Sequence, residues 1–221
     1  MSNDHLRTPR TTVRRGAKRA AYEPETIYAV LDEALICHVG FVADAQPYVL
    51  PTIHARIGGR LYLHGANTNR MLGVMRSGAP VCVTATIVDG LVLARSAFHH
   101  SMNYRSVVIA GVAEEVTDAD EKAAAFDALV EHVLPGRAAE ARPADRNETR
   151  ATTLLKLPIA EASAKIRTGG PLDGEEDLAL PIWAGVVPLE LRPTAALAEP
   201  DLGAGAVPSK AVARLLARGR R

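Results

Sequence analysis

Cysteine is nearly absent from this chain: Cys37 and Cys82 are the only two in 221 residues. Each lies in an apolar, strand-like run, so no disulfide framework is expected, only two buried free thiols in a reducing cytoplasm. There is no CxxC motif and no Cys/His cluster at zinc spacing, so no metal is expected. Aromatic residues make up only 4%, which excludes a base-stacking surface for single-stranded nucleic acid. Neither charge dominates: 26 Lys and Arg stand against 25 Asp and Glu, a formal net charge of +1. That balance gives no general case for nucleic acid or a membrane surface as partner. Long hydrophobic runs are missing as well. No stretch reaches the roughly 18 apolar residues of a membrane span, and the N-terminus lacks the apolar core of a signal peptide. A cytoplasmic protein is therefore expected.

Three catalytic signatures are also absent. There is no G-x-G-x-x-G after a strand, no G-x-x-x-x-G-K-[ST] phosphate loop and no G-x-S-x-G nucleophile elbow. A metal site would have to be built from His38, His54, His64, His99 and His100, and none pairs with a carboxylate at H-x-x-x-H spacing. His38 and His54 read as barrel-wall or core histidines. His99 and His100 on an extended chain would point to opposite sides, one toward a ligand.

What is present is an ordinary globular composition, 48% hydrophobic and 23% charged. Three segments are expected. Residues 1–20 form a basic arm carrying Arg7, Arg10, Arg14, Arg15, Lys18 and Arg19, solvated at least over 1–10. Residues 21–193 form one domain. Residues 194–221 form a variable Ala/Gly/Pro-rich tail ending in the basic positions Lys210, Arg214, Arg218, Arg220 and Arg221. Helices are predicted over 24–35, 69–76 and 117–134, the last with Phe126, Leu129, Val130 and Val133 as its buried stripe. Strands are predicted over 36–43, 48–57, 61–64, 81–88, 91–97, 104–116 and 151–157, with 158–166 continuing the last after a break. Gly58-Gly59 and Asp89-Gly90 read as hairpin turns and Gly111 as a bulge. Six or seven strands in a meander with few helices indicate an antiparallel barrel, not a βαβ sheet.

The segment 61–72, LYLHGANTNRML, carries the clearest chemistry. A short strand stops at His64-Gly65, and a helix restarts at Asn69-Arg70. Free N–H groups of a first helical turn and a guanidinium at one place make an anion site.

The blocks LDEALICHVGFV, PYVLPTIHARIGGRLYLHGANTNRML, PVCVTATIVDGLVLARSAFHHSMNYRSVVIAGVAEEV, EASAKIRTGGP and PIWAGVVPL together resemble the FMN-binding split-barrel superfamily. Pyridoxamine 5′-phosphate oxidase is its best-known member, and the resemblance is to the oxidase-related flavin-nucleotide-binding proteins of bacteria. It implies a mainly β (α+β) fold: a six- to seven-stranded antiparallel split β-barrel with a few peripheral helices. It also implies a homodimer with FMN in a groove between subunits. The phosphate position matches Asn69, Arg70 and Met71, where the oxidase has Ser-Arg-Lys; Thr68 and the helix N-terminus would partly offset the lost lysine. The flavin ring position matches Val49, Leu50, Pro51 and Thr52. His64 and Gly65 match the phosphate and ribityl side, Arg105 and Ser106 an Arg-Gln pair near the cofactor, and Trp183 a cofactor-side tryptophan. Both Arg105 and Arg95 are alternatively salt-bridge partners on a barrel strand. His99, His100, Asn103 and Lys165 are candidates for the substrate side, with Arg167 beside them. The oxidase's arginine-containing stretch is replaced by Val186-Val187-Pro188, so pyridoxamine-phosphate oxidase activity is not expected.

Three functions follow from the resemblance. The first is a flavin-dependent oxidoreductase of a small organic substrate. The second is a non-catalytic carrier of flavin, of the deazaflavin F420 or of heme, all bound by relatives of the split barrel. The third is a structural homodimer with a decayed groove, against which Arg70, the glycine turns and Trp183 argue.

Overall fold

The structure, a computed structural model, describes residues 4–203 and 205–218. Residues 1–3 of the expected arm, and Arg220 and Arg221 of the expected tail, lie outside the described residues. Strand β1 (Ala20–Ala21) precedes helix α1 (Pro24–Glu33), which opens on a proline whose missing N–H would have no partner there anyway. Strands β2 (Cys37–Ala43) and β3 (Gln46–Thr52) form one hairpin, β4 (His54–Ile57) and β5 (Arg60–Ala66) the next. Helix α2 (Arg70–Arg76), the long strands β6 (Pro80–Leu93) and β7 (Ser101–Val112), and the short β8 (Glu114–Glu115) follow. Helices α3 (Ala119–Val133) and α4 (Arg146–Ala151) lead to β9 (Thr152–Pro158), β10 (Ala162–Arg167) and β11 (Gly185–Pro188). Helix α5 (Lys210–Arg218) closes the described chain.

The strands make two antiparallel sheets. The larger runs β1-β10-β7-β6-β2-β3, with β11 added on β6; the smaller runs β4-β5-β9-β8. Val39, Val83, Ala85, Val107 and Ile109 of the larger sheet pack on Leu61, Leu63, Leu155 and Leu157 of the smaller, with Ile27, Leu31 and Met75 closing the ends. Gly111 permits a close approach of the two sheets, since a Cβ there would lie 2.9 Å from Leu157 Cδ1. The outer face of the small sheet is covered by α3 through Ala125 and Leu129. This is the expected mainly β split barrel with peripheral helices. Among the described residues no helix is long and apolar enough to cross a membrane.

Several expectations are corrected. The strand predicted over 48–57 is two strands in different sheets, broken at Ile53, and the chain crosses between the sheets there. Pro47 and Pro51 are tolerated because β3 is the outermost strand of its sheet, where a missing N–H breaks no ladder. Asp89-Gly90 is no hairpin turn: β6 runs straight through it with a register shift between Val88 and Gly90. Gly111, by contrast, keeps regular pairing with Val81. The strand predicted over 104–116 starts earlier and ends at Val112, and residues 162–167 join the other sheet from β9. In α3, Val133 is exposed. Cys37 is buried, and burial pushes its thiol up to about 12, but Cys82 is exposed. The arm is not simply solvated: Leu6 is only 2% exposed, and Glu161 accepts from Thr8 and Arg10.

Candidate functional site

The register of β2 with β3 sets the geometry of the expected ring-binding segment. Thr52, Leu50 and Tyr48 pair with Cys37, Val39 and Phe41, and so share their core-side face; Val49 and Pro51 point the other way. As the terminal strand, β3 leaves the outward backbone groups of alternate residues without a sheet partner; with prolines at 47 and 51, the outward donor is the Val49 N–H, beside the carbonyls of Pro47, Val49 and Pro51. Val49 is 65% exposed and Leu50 and Pro51 are exposed too. An apolar, accessible strand edge with free N–H and C=O groups is what a flat, polar-edged ring system needs.

The Asn69-Arg70-Met71 stretch divides its duties. Asn69 caps α2, its side-chain oxygen accepting from Leu72 N at 3.2 Å. Met71 is 2% exposed and belongs to the core. Arg70 alone is exposed, with its guanidinium carbon 4.0 Å from the Tyr48 ring centroid. Tyr48 in turn stacks on Phe41 at 5.4 Å. No carboxylate pairs with Arg70 among the described residues. Helix α2 has seven residues, too few for a strong dipole, so the guanidinium carries most of the positive charge. Tyr48 was not among the expected site residues; its alternation with Leu50 and Thr52 was the available signal.

Gly65 and His64 part company. Gly65 lies against Asn69, 3.4 Å separating its ideal Cβ position from Asn69 Nδ2. His64 is on the opposite face of β5 and lines a cavity of about 340 Å³ with Phe126, Leu129, Val130 and Arg142. Its Nδ1 is buried without a partner, and burial shifts the ring toward its neutral form.

The remaining candidates sit elsewhere. Arg105 is held by Glu33 and by Asp89, at 2.7 Å from Asp89 Oδ1. The hydrogen bonds it donates to those carboxylates raise its pKa. Ser106 faces the other side of the sheet, its hydroxyl donating to the Lys165 carbonyl at 3.3 Å. Arg95 pairs with the buried Asp173 at 2.9 Å. Asn103 is buried, accepting from Arg167 at 2.5 Å and donating to the Gly169 carbonyl at 3.1 Å. His99 and His100 lie at a helical turn over Ala97–His99, where Phe98 is exposed. Trp183 is 64% exposed, so the single tryptophan is not a core residue.

Residues 23–166 match the family model described as pyridoxamine 5′-phosphate oxidase. Among solved structures, the chain is similar to the flavocytochrome Anf3 from Azotobacter vinelandii. The two are 37% identical, with 94% of this chain and 97% of that one covered and a TM-score of 0.87. It is similar also to an FAD and heme binding protein from Mycobacterium smegmatis, at 37% identity, 89% and 97% coverage and a TM-score of 0.85. No curated protein matches the chain.

Proposed function

Because the chain belongs to the pyridoxamine 5′-phosphate oxidase family, we propose that it binds a flavin nucleotide along β3, with Arg70 at a phosphate. The observation that carries this reading is the unpaired Arg70 guanidinium poised over Tyr48 at one end of an exposed strand edge. From Tyr48 to Thr52 the strand offers about 13 Å of accessible backbone, room for a phosphate, a linker and part of a ring. The residues present therefore fit the group. The flavin is FMN on the superfamily resemblance; FAD is the flavin of the Mycobacterium relative. When bound it supplies two-electron chemistry. The chain's own part is to hold the phosphate with Arg70, orient the ring edge on the β3 backbone and exclude water with Val49, Leu50 and Pro51. His99 and His100 are the proposed substrate-side groups, for a small organic substrate of a flavin-dependent oxidoreductase. Oxidation of pyridoxamine phosphate is not proposed, because Val186, Val187 and Pro188 stand where arginines would be required.

A homodimer is part of the proposal. Val42, Val49, Val88, Val108 and Val112 lie on one outward face of the larger sheet and are all exposed, an apolar surface that a second copy would cover. Sedimentation equilibrium should return twice the monomer mass.

A second reading, a carrier of flavin together with heme, is favoured by the names of the two 37% identical relatives, a flavocytochrome and an FAD and heme binding protein. His64, which lines a cavity with Phe126 and Leu129, is the imidazole assigned to heme iron in this reading. The visible spectrum of the purified protein separates the readings. Oxidised-flavin bands support the first, and an added Soret band supports the second. A colourless protein that takes up neither FMN nor FAD on mixing removes both.

A further inference from the structure

At the edge of the larger sheet farthest from Arg70, the arm builds a basic cleft. Gly16 adopts a left-handed conformation (φ 70°) that turns the chain into a helical turn over Ala17–Arg19, and β1 then pairs with β10, Ala20 opposite Lys165. The turn brings cations together. An ideal Cβ at Gly16 would lie 3.9 Å from Lys165 Nζ and 4.0 Å from Arg19 Cδ. Two adjoining hollows share Lys18 and Arg19. One, of about 570 Å³, is lined also by Arg15 and Lys165; the other, of about 400 Å³, by Arg167 and the loop Thr168-Gly169-Gly170. No carboxylate lines either hollow.

Arg15, Lys18, Arg19 and Lys165 make no ion pair among the described residues. Arg167 is buried, and its guanidinium donates to Asn103 and to the carbonyls of Gly169 and Gly170. Those two carbonyls are thereby occupied and do not oppose an anion. The cations stand on a docked backbone, because Glu161 holds Thr8 and Arg10, and the Tyr22 hydroxyl accepts from Val13 N at 2.9 Å. Four unpaired cations converging on one cleft, in a chain whose net charge is only +1, repel each other unless an anion joins them.

The geometry points to a second anion site, in which Arg15, Lys18, Arg19 and Lys165 take the diphosphate of a nucleotide. It goes beyond the flavin reading, in which Arg70 already holds the flavin phosphate. Between β10 and β3 the sheet has four ladder steps, about 19 Å along the sheet, so one phosphate cannot serve both this cleft and Arg70. The two phosphates of FAD share one bridging oxygen, so a flavin held at Arg70 cannot place its diphosphate here, and the cleft takes a separate nucleotide bound alongside the flavin.

The test is calorimetric titration of FMN, FAD and ADP into the full chain and into a Lys18→Gln/Arg19→Gln/Lys165→Gln variant, with circular dichroism to check folding. A single Lys165→Gln variant serves if the triple one misfolds. ADP should weaken by roughly tenfold or more in the triple variant, and its affinity should fall more steeply with added salt for the wild type than for the variant, while FMN changes less than twofold. If FAD responds and ADP does not bind, the cleft, instead of Arg70, takes the flavin's own diphosphate, and the assignment of a separate nucleotide falls. If ADP binds to FMN-loaded protein and responds, the cleft belongs to a second nucleotide. If neither FAD nor ADP distinguishes wild type from variant, the site does not exist. If the variant changes only the monomer–dimer balance, the cations serve the subunit contact and the assignment falls. Failure of the flavin reading looks different: FMN does not bind, whereas the ADP titration still reads the cleft.

Discussion

The Arg70 guanidinium lies over Tyr48, its carbon 4.0 Å from the ring centroid, and the ring fixes it beside β3. An exposed arginine is otherwise a rotamer-rich side chain that must be ordered when a ligand binds. Arg70→Ala should therefore weaken FMN by about 2 kcal/mol, roughly thirtyfold, through loss of the charge-assisted bond. Tyr48→Leu, which keeps the charge but removes its platform, should cost several-fold less. Equal affinities for wild type and Arg70→Ala in a flavin fluorescence titration would place the phosphate elsewhere.

Arg105 is bound by Glu33 and Asp89, and this ion-pair cluster ties α1 to the bulge of β6 and to β7. Its partners are partly exposed, 55% for Glu33 and 32% for Asp89, so solvent discounts the interaction. Arg105→Gln should lower the unfolding free energy by about 1 kcal/mol in urea titrations. Flavin affinity should change less than twofold. A large loss of affinity without loss of stability would instead put Arg105 at the cofactor.

The sequence reveals the class of this fold because its period-two apolar runs are intact: Val39 and Phe41, Leu61 and Leu63, Val107 and Ile109 all reach the core. It hides the crossings. His54 and Ala55 are buried in succession, which no alternating pattern anticipates, because a strand leaving one sheet for another changes which side faces inward. Asp89-Gly90 looks like a hairpin turn, yet Asp89 is held by Arg105, and β11 lies over Gly90, with the Val187 carbonyl 3.0 Å from an ideal Cβ there. At the candidate site, Arg70 is evident as a cation after a strand, but Asn69 and Met71 carry no visible sign that one is a cap and the other core. The arm's cations are plain in the sequence; their convergence on Lys165 depends on the β1–β10 pairing, a contact between residues far apart in the chain.

The β2–β3 hairpin has a two-residue turn in which both Asp44 (φ 51°) and Ala45 (φ 59°) are left-handed. Such a turn matches the twist of its strands, but alanine is strained in it by its Cβ. Ala45→Gly should relieve the strain and, after the extra freedom of glycine in the unfolded chain is counted, raise stability by about 0.5–1 kcal/mol. For a chain of this size that is a Tm increase of about 2 °C by calorimetry. An unchanged or lower Tm would mean that the turn is not strained.

His54 should make the protein acid-sensitive. The ring is fully buried, its Nε2 donates to the Leu31 carbonyl at 2.8 Å, and the His132 ring lies 4.5 Å away. Burial pushes its pKa down from 6.5 to about 4, and the nearby His132 adds to the shift. Above pH 6.5 the ring is neutral whether the chain is folded or not, and it contributes nothing to pH dependence. As the pH falls below 6.5 the unfolded chain takes up a proton that the folded one refuses, so stability drops until the folded ring titrates near pH 4. The full loss is about 3 kcal/mol. His54→Gln keeps a donor for Leu31 but cannot titrate, so urea unfolding between pH 7.5 and pH 5 should give a flatter profile for the variant than for the wild type. Parallel profiles would assign the acid sensitivity to other groups.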